Sequence, residues 1–342
     1  MKKIKVLDID SSPHLNSGAS VDKIMRHVVY ALLPVVAFAI YSFGLAAIAV
    51  LLTAVISCVA TEHVLAKKFS QASTISDWSV TITGILYGLT LPPGLPLWMV
   101  FVGGVIGISL AKFLFGGLGC NVFNPALVAR AFLQAAFPTS LTSWLPAFSD
   151  DRFTTLPTST LTLPFLSPVY DGMSGATPLA NMKFNAQTTE ISDLLLGLTG
   201  GSLGETCSVI ILLGGAYLVA RNMMNWRIPM GIFVSVIVIS AFFQWLEPDK
   251  YAGPLFMLFS GGLMLGAIFM ATDMVASPIT NLGCFIYGLL IGVLVVVIRY
   301  WSGLPEGVMY AILFMNAVSP HIDNFVRPVV FGTRNSEGAK RL

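Results

Sequence analysis

Residues 171–179 read DGMSGATPL, and the residue types and their spacing suit one kind of chemistry. Thr177 offers a hydroxyl. Gly175 and Ala176 beside it are small enough to leave that hydroxyl open to a second enzyme, and Pro178 disfavours helix at Thr177 and keeps it extended. With Asp171 and Ser174 in place, the stretch matches D-x-x-[ST]-G-A-[TS], the pattern in which a flavin transferase joins FMN to the last hydroxyl through a phosphodiester. Thr177 is then a covalent anchor, and no residue is assigned as catalytic. A stretch rich in Ser, Thr and Pro, such as TTLPTSTLTLP from Thr154, is by itself an ordinary solvated connector, and Gly-Ala-Thr-Pro alone reads as a turn. The full pattern carries the reading.

A second set of residues could handle ions. Ionisable groups at membrane depth are costly and usually functional. Glu62, Glu205 and Asp273 each end or open an apolar segment, and Arg130 lies within one. Asp273 is the first choice, because MATDMVASP is a run of small and polar residues beside Pro278 where a helix is expected to break. The competing reading is a helix-end carboxylate that caps the next turn. No metal site is expected. Cys58, Cys120, Cys207 and Cys284 are scattered singly, and His14, His27, His63 and His321 lack ligand-like spacing, so small buried thiols and interfacial imidazoles are the reading.

These groups need apolar elements to hold them. With 55% hydrophobic and 11% charged residues and a mean hydropathy of +0.80, the 342-residue chain is too apolar for a soluble domain. An all-α polytopic membrane protein is expected, with about ten transmembrane helices, some broken at Pro and at Asn124-Pro125. The expected organisation is an N-terminal segment 1–24, a five-helix half 25–137, a flavin-bearing loop 138–203, a second five-helix half 204–319 and a tail 320–342. Five helices per half reverse the direction of a repeated unit, so any repeat is inverted. Gly103 with Gly107, Gly262 with Gly266 and Gly288 with Gly292 read as helix-packing pairs. Lys and Arg divide 14 against 4 across the segments, with Arg130 in the membrane. Both termini are therefore expected in the cytoplasm and the Thr177 loop outside.

SSPHLNSGASVDKIMRHVVYALLPV from Ser11, GGLGCNVFNPALVARAF from Gly116, DGMSGATPLA from Asp171 and the run FMATDMVASPITNLGCFIYG from Phe269 resemble the D subunit of the Rnf electron-transport complex. The resemblance spans essentially the whole chain. The related B subunit of the sodium-pumping NADH:quinone oxidoreductase carries a similar loop but typically a longer N-terminal extension. The resemblance implies a bacterial inner-membrane subunit with a urea-transporter-like fold, covalent FMN on Thr177 and a second, non-covalent riboflavin. It also implies the other Rnf subunits and a flavin transferase as partners, Na+ or H+ as the transported ion, and electron transfer between ferredoxin and NAD. No nucleic-acid partner is expected. No G-x-G-x-x-G fingerprint opens a βαβ unit, so the nicotinamide site falls to another subunit. A solute permease of the same architecture is the alternative, since fold does not determine function.

Overall fold

The computed structural model describes residues 20–69, 75–164, 166, 176–205, 207–248 and 250–328. Helices dominate, and no strand occurs among the described residues. The first group comprises α1 (Val21–Phe43), α2 (Leu45–Lys68), α3 (Ser79–Leu89), α4 (Leu97–Ile108) and α5 (Pro125–Ala136). Short helices α6 (Pro138–Leu141), α7 (Pro178–Asn185) and α8 (Ile191–Leu196) follow. The last group comprises α9 (Ser208–Ala220), α10 (Arg227–Leu246), α11 (Pro254–Phe259), α12 (Leu263–Leu265), α13 (Asn281–Trp301) and α14 (Val308–Phe325). α1, α2, α10 and α13 are long and apolar enough to cross a bilayer.

In lipid the large apolar side chains need not face inward, and the interior goes to residues that let backbones close up. α2 follows this rule. It buries Ala46, Ala47, Ala54, Ser57 and Cys58 and exposes Leu52, Ile56 and Val64. At the α10–α13 contact, a Cβ on Gly288 would stand 2.4 Å from the Ile228 carbonyl oxygen, and one on Gly292 1.9 Å from the Ser235 hydroxyl. The packing role expected of Gly288 and Gly292 holds. Gly103 meets the Tyr87 hydroxyl and Gly107 meets Ala129 in the same way. Gly262 departs from its expected pairing with Gly266. It lies between α11 and α12, outside either helix, and its N–H donates to Glu306.

Two elements are interrupted. α3 stops at Leu89, and Thr90–Leu95 continues without helix although Leu91 and Leu95 are fully buried. Buried backbone must still be paired. Leu203 N–H donates to the Leu91 carbonyl (3.0 Å) and Gly204 N–H to the Leu89 carbonyl (2.6 Å). The second interruption, Ser260–Gly262, separates α11 from α12, where Gly261 takes φ +67°. It is additional to the break expected beside Pro278, which is also present: residues 271–280, Asp273 among them, are non-helical. Two π-helical turns, Ser109–Phe113 after α4 and Gly266–Met270 after α12, widen the helices on either side of a cavity. Such turns concentrate at functional positions.

The long loop and the cavity lie at opposite ends of α1. At its C-terminal end, Leu45 N–H donates to the Arg152 carbonyl (2.9 Å) of the long loop. At its other end, Ile24 and Met25 line the cavity. Twenty-three helical residues separate these ends, about 34 Å at 1.5 Å per residue.

Candidate flavin loop and buried charge sites

Thr177 is the N-cap of α7. Its backbone is extended (φ −64°, ψ 155°), Pro178 occupies the first helical position, and the Ala180 N–H donates to its hydroxyl at 3.3 Å. This is the extended conformation that the following proline imposes. Ala176 is exposed, and Thr177 is 7% exposed. Asp171, Ser174 and Gly175 lie outside the described residues. The donor set fits a phosphoryl group: a hydroxyl at the N-terminus of an eight-residue helix, with a backbone N–H already directed at it.

Lys183 fixes this helix from its other end. Its ammonium donates to the carbonyls of Arg299 (2.8 Å), Ser302 and Leu304 (2.8 Å), which uses all three N–H bonds on the end of α13. Loss of water around the ammonium lowers its pKa from the ordinary lysine value. Leu179, on the next turn, packs against Gly261 at the helix break. α7 therefore sits directly over that break.

Beneath α7 lies a charge cluster that sequence reasoning only partly anticipates. Glu306 accepts from Gly262 N–H (2.6 Å) on one oxygen and from Arg130 (2.9 Å) on the other. Arg299, 1% exposed, donates to the Met257 and Ser260 carbonyls. Glu205 reaches the same place, with its Oε1 3.9 Å from where a Gly262 Cβ would stand, against 2.6 Å for Glu306 Oε1. Charge counting places Arg299 outside with the loop lysines. The structure buries it within α13, because the broken helix beside it supplies carbonyls that need a donor. Glu306 and Lys183 carry no motif of their own; an acidic residue just after the apolar run ending at Trp301 is the sole hint of Glu306.

Two further polar groups lie toward the start of α1. Asp273 sits in a turn, where it accepts from Val275 N–H (3.1 Å) and from the Asn121 side chain (3.4 Å). The turn-capping reading thus describes its backbone contact, and it also borders the cavity. Asn124 caps α5 by accepting from Ala126 N–H (3.0 Å) and donates across to the Met270 carbonyl (3.2 Å). Glu62 accepts from Lys112 at 2.7 Å, with side chains 1% and 5% exposed, and Lys112 also donates to Ser79 (3.0 Å). The cavity is open on one side and lies between α1, α3, α9 and the two π turns; Lys112, Asn121, Asn124 and Asp273 are its polar lining beside Ser79, Thr83 and Thr272. Glu62, Glu205 and Asp273 therefore form no single site. Glu62 and Asp273 belong to the cavity end and Glu205 to the loop end. No cluster with metal-ligand character occurs among the described residues.

Among the described residues the chain is all-helical, with four helices long and apolar enough to cross a bilayer and charges buried near both helix ends, which is the architecture of a polytopic membrane protein. A family model described as the NQR2, RnfD, RnfE family matches residues 8–332, and the chain belongs to that family. It is 40% identical over 335 residues to the D subunit of the proton-translocating ferredoxin:NAD(+) oxidoreductase complex of Clostridium ljungdahlii, covering 97% of this chain and 98% of that one. It is also 40% identical to the D subunit of the Na(+)-translocating ferredoxin:NAD(+) oxidoreductase complex of Acetobacterium woodii, at 95% coverage of both. The D subunit of the ion-translocating oxidoreductase complex of Stutzerimonas stutzeri is 40% identical at 94% coverage of both.

Proposed function

We propose that this chain is the D-type membrane subunit of an ion-translocating ferredoxin:NAD oxidoreductase, carrying electrons through FMN on Thr177. The observation that carries the reading is Thr177 itself, a hydroxyl in the flavin-acceptor pattern, extended and capping a helix that three carbonyl contacts of Lys183 hold against α13. Full-length relatives named as such subunits support it. FMN supplies the redox chemistry when bound. The chain's own part is to hold the phosphate at the α7 N-terminus and to fix α7 over the charge cluster. Asp171, Ser174, Gly175 and Ala176 serve transferase recognition. The cavity at the other end of α1, lined by the Asn121 and Asn124 side chains, is the candidate place for a non-covalent riboflavin, which puts the two flavins on opposite sides of the membrane.

The reading includes ten crossing elements in two inverted halves, with both termini in the cytoplasm and the Thr177 loop outside. Ser57 against Gly104 across α2 and α4 repeats as Ser235 against Gly292 across α10 and α13, which supports the repeat. Either Na+ or H+ is the transported ion, and relatives named for each are equally similar to this chain. The other complex subunits and a flavin transferase are its partners.

The test is in-gel fluorescence and intact mass of the chain and of its Thr177→Val variant, each produced with a flavin transferase. Bound flavin in the parent and its loss in the variant are expected. A parent without flavin despite an active transferase refutes the reading, and solute-flux assays of the permease alternative follow.

A further inference from the structure

The break between α11 and α12 exposes carbonyls at a half-helix C-terminus, the kind of group that receives a metal cation in other broken membrane helices. Here the position is filled from within. The Arg299 guanidinium donates to the Met257 and Ser260 carbonyls, and a guanidinium keeps its proton at any physiological pH. Among the described residues two polar atoms at the break have no protein partner, Arg299 Nε and the Ser260 hydroxyl, on residues 1% and 0% exposed. Buried donors of this kind are usually met by water.

The two carboxylates across Gly261 and Gly262 are not equivalent. Glu306 has a donor on each oxygen, which fixes it as the anion. Glu205 is part-exposed, is hydrogen-bonded by Ser202 of its own turn, and makes no ion pair among the described residues. The charged groups that face it are Glu306 from the α13–α14 connection, Arg130 of α5 and Arg299 of α13, with Tyr300 beside Arg299. With Glu205 ionised, two carboxylates balance two guanidiniums.

We propose that the break is a proton-exchange site, in which Glu205 takes and releases a proton through water held by Ser260 and Arg299, and which binds no sodium ion. A hydronium ion delivers its proton to a Glu205 carboxylate oxygen. An O–H bond forms, water is left, and the cluster gains one unit of positive charge. Two resident guanidiniums repel a metal cation, and the carbonyls it would need are occupied. Because Leu179 packs on Gly261 and Lys183 holds the Arg299 carbonyl, the charge change arises directly under α7.

One readout rests on the proposed flavin on Thr177, and the other does not. In a redox titration of the full chain carrying covalent FMN, the midpoint potential plotted against pH is expected to inflect. Glu205→Gln removes that inflection, Glu205→Asp displaces it, and added sodium leaves it in place. On the chain without flavin, infrared difference spectra between acidic and alkaline buffer are expected to contain a protonated-carboxyl band that Glu205→Gln abolishes. A band that persists unchanged in Glu205→Gln overturns the proposal, as does an inflection that moves with sodium concentration. Absence of flavin in the parent bears on the flavin reading alone, and the infrared result still decides this one.

Discussion

Removing the Lys112 ammonium while Glu62 stays in place leaves a carboxylate that is 1% exposed without its nearest cation, 2.7 Å away in the native protein. Truncating one partner of a buried ion pair costs about 3–5 kcal/mol, because the remaining charge stays desolvated. At about 1.4 kcal/mol per factor of ten, Lys112→Met should lower the folding equilibrium by about two to three and a half decades. Replacing both partners removes both desolvated charges, so the double variant Glu62→Leu with Lys112→Met should recover most of that loss. Ser79 also accepts from Lys112 (3.0 Å) and keeps part of the loss in the double variant. The assay is equilibrium unfolding of the four proteins in mixed micelles, read as a double-mutant cycle. A Lys112→Met loss under about 1 kcal/mol would mean that water reaches the pair, and a double variant no better than the single one would refute the desolvated-charge argument.

Lys183→Met should free α7 from the end of α13; limited proteolysis of the loop is expected to quicken several-fold while the helical core stays resistant, and equal cleavage rates would deny Lys183 its anchoring role. Gly288→Ala should separate α10 from α13, because its Cβ meets the Ile228 carbonyl at 2.4 Å, with a loss of about 1–3 kcal/mol or more. Gly303→Ala, where nothing lies within 4 Å, should unfold within about 0.5 kcal/mol of the parent, so a thermal-stability comparison of the two variants tests the packing argument directly. Lys250→Ala removes an exposed pair with Glu247 at 3.1 Å and should leave the unfolding midpoint unmoved in high or low salt, since such pairs contribute little.

Periodicity and composition make the helices legible, because lipid imposes long apolar runs wherever the chain crosses; α1, α2, α10 and α13 follow the expected segments closely. The break beside Pro278 is legible, since residues 271–280 are non-helical. A second break, at Ser260–Gly262, is not: Gly261 takes a left-handed conformation there and Arg299, distant in sequence, satisfies the freed carbonyls. That satisfaction depends on tertiary contact, which a linear reading does not contain. The same holds for the ionisable residues. Glu205 is visible as a charge near an apolar segment, but its neighbours Glu306, Arg130 and Arg299 come from three separate stretches of chain. The proposed role of Thr177 is legible because the acceptor pattern consists of adjacent residues. Lys183, which positions it, is indistinguishable in sequence from any loop lysine.

The pairing of Leu203 and Gly204 with the end of α3 bears on how the chain is made. While only residues up to 137 have been made, the Leu89 and Leu91 carbonyls still lack partners that are encoded more than a hundred residues downstream. The N-terminal half is thus an unfinished piece in the bilayer, dependent on water or on the insertion machinery until residues 203 and 204 arrive. A fragment ending at residue 137 should be short-lived in cells and should be rescued by co-expression of residues 138–342, so that quality control of this protein acts on the joining of its halves.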